Sequence, residues 1–157
     1  MNVTDYLIDQ GGHDWAAILE DWSWLLPYDS FDVWMVNRFG DVIFVPEGGT
    51  VHLMDISAGT VKRLATSRED FCIQIDVADN ADNWLLMSLT DECVAAGLTL
   101  APGKAYGFKV APILGGNYAV DNVEIADLTV NYSFLAQMHE QIKDLPDGTQ
   151  IEFVLGN

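Results

Sequence analysis

Three short β-rich runs separated by two glycine-containing turns constrain the fold of this chain more than any other feature. The runs are Phe31–Val36, Val42–Val45 and a third that begins at Val51, and the turns are Phe39–Asp41 and Glu47–Gly49. Glycine accepts the positive φ angles that tight turns between strands require. Consecutive runs joined in this way predict a small antiparallel meander.

Four other segments have the three- and four-residue apolar spacing of helices. They run from Trp15 to Trp22, from Ser67 to Ile75, from Trp84 to Ala96 and from Val130 to Lys143. Ser67 is a favourable N-cap residue, and Phe71, Cys72 and Ile75 are expected on the inner face of the helix that it begins. The polar stretch Asp79–Asn83 is expected to form a break before the helix from Trp84.

Further β-rich stretches occur in the C-terminal half. Tyr106–Val110, Tyr118–Leu128 and a final strand through Ile151, Phe153 and Val154 are expected to complete the sheet. Together the elements predict an α+β fold in a single domain over residues 1–157. We expect a mostly antiparallel sheet with helices packed on one side.

Charge decides which partners this chain can have. It carries 24 acidic and 7 basic residues, a net charge of −17, in a composition that is 50% hydrophobic. A folded protein this acidic repels nucleic acid and anionic membranes. We therefore expect no nucleic-acid partner and no membrane partner, and a basic protein surface is the partner that the charge favours.

The acidic residues are concentrated where basic ones are missing, since no Lys or Arg occurs from Glu69 to Gly103. We expect a docking face for a cationic partner on the helices of this region. Its candidate residues are Asp70, Asp76, Asp79, Asp82, Asp91 and Glu92. The alternative, which the sequence leaves open, is that this acidity only keeps the protein in solution.

An aromatic anchor is the second candidate feature of such an interface. Trp22 and Trp24 lie two residues apart, so both cannot point inward from one helix. One of the pair is expected at the surface, where tryptophan often contributes most of the binding energy. Trp24 is therefore our candidate for the anchor.

The motifs of catalysis and metal binding are missing from the sequence. There is no Gly-x-Ser-x-Gly elbow, phosphate-binding loop, His-x-x-x-His pair or Cys-x-x-Cys pair. We expect no catalytic residue, no cofactor and no metal, and we expect His139 to make a structural hydrogen bond. Cys72 and Cys93 are expected to be free thiols. Without a secretory leader or an apolar run of about 20 residues, the protein is expected to be soluble and cytoplasmic.

Several short motifs resemble the C-terminal domain of type VI secretion DNase-effector immunity proteins, a family that often follows a GAD-like domain. They are Leu114–Tyr118, Asn122–Glu124, Ser133–Leu135, His139 and Gln141–Gly148, with a further likeness at Val36–Asp41. The resemblance is strongest over residues 105–154. It implies a cytoplasmic inhibitor that binds a toxic effector, with no catalytic residue to carry over.

The residues of these motifs are expected to serve the fold. Gly115 and Gly116 are expected to take positive φ, Pro146–Gly148 to form a turn, and Phe134 and Leu135 to lie in the core.

The functional hypothesis that follows is a non-enzymatic immunity protein. It would bind and neutralise a cognate toxin that is basic and acts on nucleic acid or nucleotides. One alternative is a general acidic protein-binding or regulatory module without a toxin partner. Another is a hydrolase whose cleft the sequence does not reveal. The oligomeric state is left open.

Overall fold

Two antiparallel sheets organise the chain in the computed structural model, which describes residues 2–145. One sheet contains four strands in chain order: β1 (Phe31–Val36), β2 (Val42–Pro46), β3 (Val51–Asp55) and β4 (Thr60–Ala65). The other pairs β5 (Lys104–Phe108) with β6 (Val123–Asp127). The predicted meander is confirmed, and β4 extends it at an edge. The sequence did not indicate β4 because Lys62 and Arg63 interrupt its apolar pattern, as charged residues on edge strands commonly do.

Three of the five α-helices within residues 2–145 begin with a side-chain cap. The five helices are α1 (Trp15–Glu20), α2 (Arg68–Gln74), α3 (Asn80–Leu85), α4 (Met87–Ala95) and α5 (Leu128–Ile142). Ser67 caps α2 by accepting the Asp70 amide at 2.9 Å, as its sequence position predicts. Asp14 and Asp127 accept amide hydrogens in the same way at the starts of α1 and α5.

The helix expected from Trp84 to Ala96 is instead two helices. Helical structure already begins at Asn80, and it is broken at Leu86, whose φ of 49° is left-handed. The Asp82 carboxylate accepts the Ser88 amide at 2.7 Å across the break. This bond satisfies one of the amides that the first turn of α4 leaves without a partner, so a carboxylate from α3 stabilises the start of α4.

Helices cover both faces of the four-stranded sheet. Every residue of β2 is buried, and alternate side chains of a strand point to opposite faces. Val42 and Phe44 pack with residues of α1 and α5, whereas Ile43 and Val45 pack with residues of α2 and α3. The expectation placed helices on one side only, but a strand that is apolar on both faces needs cover on both. The α+β class and the mostly antiparallel pairing are confirmed.

A third apolar cluster joins α4 to the two-stranded sheet. It contains Phe39, Leu89, Cys93, Tyr106 and Val123. Both cysteines are free thiols, and Cys93 is fully buried in this cluster. Cys72 is exposed, contrary to its expected place on the inner face of α2. Phe71 occupies that face, and the next residue of a helix is turned about 100° away from it.

A buried polar network fixes the turn between β1 and β2. The Asn37 amide group donates to Asp41 at 3.0 Å and to the Trp84 carbonyl at 3.2 Å. Asp41 in turn accepts the Ile56 amide at 3.0 Å. His139 is buried and contacts the Ile56 carbonyl at 2.8 Å, which confirms its predicted structural hydrogen bond. The network ties α3, α5 and the β3–β4 turn to one point.

Burial changes the titration of this network. It raises the pKa of Asp41 to about 8, with a further contribution from the negative charge of Asp55. Burial lowers the pKa of His139. Both shifts follow from the cost of placing a charge where water cannot reach it.

The predicted final strand through Ile151, Phe153 and Val154, and the predicted turn at Pro146–Gly148, lie outside the described residues. Within residues 2–145, no helix has the length and apolar character needed to cross a membrane.

Candidate partner-binding site

An acidic groove lies at the junction of α3 and α4. It has a volume of about 390 Å³, and its charged lining residues are Asp55, Asp82 and Glu92. None of the basic residues within residues 2–145 lines it. The break at Leu86 places Asp82 of α3 and Glu92 of α4 around the same opening. Three carboxylates without a lining cation make this groove attractive to a positively charged group.

Tyr118 is the aromatic residue of this groove. Its side chain is 49% exposed. Its ring packs edge-on against the ring of Phe108, with 5.1 Å between the two ring centres. Partial burial, together with the negative charges of Asp55 and Asp41, raises the pKa of Tyr118 to about 12. The phenol therefore remains neutral, and it lies in a negative potential.

Tyr118 ends a loop that a single side chain clamps. Asn122 accepts the Val110 amide at 3.0 Å and donates to the carbonyls of Val110 and Asn117 at 3.0 and 2.9 Å. We call residues 110–118 the clamped loop. Since Asn122 uses both its oxygen and its amide group here, it fixes the two ends of the loop together.

Two adjacent glycines in the clamped loop have different roles. Gly115 has a φ of +99°, as expected. The expectation of positive φ is wrong for Gly116, since positive φ occurs at Gly115 and not at Gly116. Gly116 is needed for close approach, because a Cβ atom there would overlap the Val110 carbonyl group, 2.7 Å from its carbon. The Gly116 amide also donates to the Ala111 carbonyl at 3.1 Å.

The clamped loop holds apolar side chains at the surface. Val110, Ile113 and Leu114 are each roughly half exposed, and Phe134 of α5 is 39% exposed. The expectation that Phe134 belongs to the core is therefore wrong, whereas its neighbour Leu135 is buried. Successive helix positions lie about 100° apart, so only one of the two can face inward.

A second, apolar groove of about 290 Å³ lies between the clamped loop and α5. Val110, Leu114 and Phe134 line it, together with Phe108. Phe108 also contacts Tyr118 of the acidic groove. The acidic groove and the apolar groove are therefore neighbours, and they meet at the Phe108–Tyr118 pair.

The structure brings together two of the six predicted docking acids, Asp82 and Glu92. Asp70 is engaged locally, accepting from the backbone and hydroxyl of Thr66 and from Gln74, and these bonds lower its pKa. Asp91 accepts the Tyr6 hydroxyl at 2.9 Å.

Asp76 and Asp79 are exposed where α2 connects to α3. These four acids lie near the groove in sequence but do not line it.

Trp24 lies in a different part of the fold. Its ring stacks on that of the buried Trp22, with 5.9 Å between the ring centres. The Lys143 ammonium lies 5.3 Å from the centre of the Trp24 ring. Both tryptophans belong to the cluster of α1 and α5. Trp24 does not line the acidic groove, and Tyr118 is the aromatic residue that does.

Sequence reasoning missed Asp55 and Tyr118 as site residues. Tyr118 is the last residue of the motif Leu114–Tyr118. The motif could have indicated a binding residue, but its glycines indicate a structural role first. Asp55 had no sequence signal, because it reaches the groove through the pairing of β3 and lies 27 positions before Asp82.

The described residues that line the acidic groove offer carboxylates and one phenol. Among the residues that line the acidic groove there is no His, Cys, Lys or Arg to act beside the carboxylates. Across residues 2–145, no three His, Cys, Asp or Glu residues converge as a metal site.

Comparison with known proteins gives a family and a fold. Residues 65–139 match the family model described as T6SS immunity protein Tdi1, C-terminal. No curated protein matches the chain. The crystal structure of Atu4351 from Agrobacterium tumefaciens is similar, with a TM-score of 0.52 at 16% sequence identity. That similarity covers 78% of this chain and 63% of Atu4351, so this chain spans less than two thirds of that protein's length.

Identity at the level found with Atu4351 shows a shared fold and nothing about activity. The family match is the more informative comparison, because it includes α2, α3, α4, the clamped loop and most of α5. Residues 65–139, just under half of the chain, match the model of the T6SS immunity protein Tdi1, C-terminal family, which is the family that the sequence motifs resemble.

Proposed function

We propose that this chain is a non-enzymatic immunity protein that binds and neutralises a cognate toxin in the cytoplasm of the producing cell. The toxin is basic around its active-site cleft and acts on nucleic acid or nucleotides. The observation that supports the proposal is the acidic groove at Tyr118, whose lining residues other than Asp55 lie within the region that matches the immunity family.

Electrostatics explains why an acidic inhibitor suits such a toxin. An enzyme that binds phosphate groups presents Lys and Arg side chains in its cleft. A protein of charge −17 attracts that cleft and speeds association. Asp76 and Asp79, exposed where α2 connects to α3, contribute to this long-range attraction without touching the toxin.

Contact with the toxin takes place at the acidic groove. A Lys or Arg side chain of the toxin enters between Asp82 and Glu92, and its charge packs against the Tyr118 ring. The apolar groove beside it accepts an apolar side chain and excludes water from the contact. Because Asn122 already fixes the clamped loop, little conformational entropy is lost on binding.

A protection assay tests this proposal. The effector gene beside the gene for this chain is expressed in a heterologous bacterial host, alone and together with this chain. We expect the effector to kill the host alone and the host to survive with both proteins. A harmless neighbour, or killing that this chain does not prevent, contradicts the proposed function.

Charge-reversal variants assign the surface. Asp82→Lys combined with Glu92→Lys is expected to abolish protection, because it turns an attractive groove into a repulsive one. Asp21→Lys is the matched control, since Asp21 is exposed at the end of α1, in the part of the fold that covers the other face of the sheet. Equal protection by all three proteins would mean that the acidic groove does not contact the toxin, in which case Trp24 becomes the next candidate.

A further inference from the structure

A small basic pocket lies at the base of the β1–β2 turn in this otherwise acidic protein. Its volume is about 250 Å³, and Arg38 and Lys104 line it, with His13 at its edge. Two of the seven basic residues of the chain therefore face one cavity. The acidic and apolar grooves share no lining residue with this pocket.

Arg38 is held in place by its backbone but not by its side chain. Its amide donates to the Tyr6 carbonyl at 3.2 Å, and its carbonyl accepts the Tyr106 amide at 2.8 Å. The guanidinium makes no hydrogen bond or ion pair with any of residues 2–145, and its Nε atom is buried without a partner. Because the guanidinium has no acceptor within residues 2–145, it can bind one that enters the pocket.

The acids around the pocket are already engaged. Asp9 also lines the pocket, but its Oδ1 atom accepts the Gly11 amide at 2.8 Å. Asp127 lies 3.9 Å from the Lys104 ammonium, a long ion pair, while its Oδ1 atom caps α5. Neither acid pairs with Arg38, although the chain contains 24 acidic residues.

We propose that this pocket binds a carboxylate that is carried on a short aliphatic stem. The carboxylate pairs with the Arg38 guanidinium, whose planar array of donors matches two carboxylate oxygens, and Lys104 supplies a second positive charge. Ile8, Leu100 and Leu128 form apolar walls that suit the stem. A phosphate dianion is disfavoured because the net charge of −17 repels it about twice as strongly as a monoanion.

The chain offers a direct probe of this proposal, since it contains three arginines, Arg38, Arg63 and Arg68. Their Nε–H groups give separate signals in a ¹⁵N–¹H NMR spectrum of the folded protein. The protein is titrated with butyrate, with the neutral isostere butyramide, and with inorganic phosphate at equal ionic strength. We expect a saturable shift of the Arg38 signal with butyrate only.

Variants separate this pocket from nonspecific charge effects. Arg38→Gln and Lys104→Gln are each expected to weaken butyrate binding about tenfold or more, the worth of one charged hydrogen bond. Arg63→Gln, at an exposed position of β4, is the matched control and leaves binding unchanged. If Arg38→Gln does not fold, Lys104→Gln carries the same test.

Each of the following results overturns the proposal. One is an Arg38 signal that does not respond to butyrate. Another is an equal response to butyramide, which would show that the charge is irrelevant. The third is a stronger response to phosphate, or a parallel drift of all three arginine signals. This site is independent of the proposed toxin, so its failure leaves that proposal intact.

Discussion

Replacing Gly116 by alanine tests whether the clamped loop is held as the structure indicates. The added Cβ would overlap the Val110 carbonyl group and lie 2.9 Å from the Asn122 Nδ2 atom. Neither neighbour can yield without breaking the clamp, because Asn122 is bonded to that same carbonyl. The variant must either strain the backbone or open the loop.

The clamp itself limits the cost of Gly116→Ala. Opening the loop loses the three hydrogen bonds of the Asn122 side chain, each with a net worth of about 0.5–1.5 kcal/mol. Overpacking a closed loop costs a similar amount, about 1–3 kcal/mol. Because the protein takes the cheaper of the two routes, we expect the free energy of unfolding to fall by about 1–3 kcal/mol.

Denaturant unfolding and amide hydrogen exchange measure this effect together. Exchange is expected to accelerate at Val110 and Gly116, whose amides are bonded within the loop. Gly115→Asn is the control, because a side chain at Gly115 meets nothing within 4 Å and asparagine tolerates left-handed backbone. It should lose less stability than Gly116→Ala, because it overlaps no neighbouring atom.

A double-mutant cycle with Asn122→Ala then identifies the cause. Both single variants remove the same clamp, so the double variant should cost little more than the larger single change. Strict additivity, or a Gly116→Ala protein within about 0.5 kcal/mol of the parent, would refute this reasoning about the loop.

Three further predictions concern buried groups. Because the pKa of Asp41 is raised from 3.8 to about 8, its protonated carboxyl stabilises the folded state fully below about pH 4, and this stabilisation is lost as the pH rises to about 8. Asp41→Asn should remove this decline in the free energy of unfolding, and parallel curves of that free energy against pH for the two proteins would contradict the prediction. Gly59→Ala should cost about 2 kcal/mol or more, because its φ is +70° and a Cβ would lie 2.6 Å from the His139 ring; thermal unfolding unchanged from the parent would count against this packing. A thiol reagent should label the exposed Cys72 in the native protein and Cys93 only after unfolding, since burial raises the Cys93 pKa to about 11; equal labelling rates would show that Cys93 is accessible.

Sequence patterns predicted most of the strands and helices because their signals are local. The glycine turns and alternating apolar residues are sufficient to place β1, β2 and β3, and Ser67 is sufficient to start α2. The break at Leu86 was not predictable, because it depends on the Asp82 carboxylate reaching Ser88 six residues away. The edge strand β4 was not predicted because Lys62 and Arg63 interrupt the alternation of its apolar residues.

The site was only partly predictable for a physical reason. The region of acidic charge was evident from the absence of Lys and Arg between Glu69 and Gly103. Which acids meet in a groove depends on tertiary packing, so Asp55 could not be assigned from its neighbours in sequence. Exposure of Tyr118 likewise depends on the three bonds that Asn122 makes to the clamped loop.

The central claim, that this chain recognises its toxin through the acidic groove, is tested most directly by the salt dependence of their association rate. The rate constant is measured by stopped flow at about 0.02 M and about 0.5 M salt, which shortens the screening length from about 20 Å to about 4 Å. We predict a fall of about tenfold or more, and we expect the fall to be clearly smaller in the Asp82→Lys, Glu92→Lys variant than in Asp21→Lys, because the double change reverses the charge where the toxin makes contact. A rate that does not change with salt in the parent protein would contradict recognition through the acidic groove.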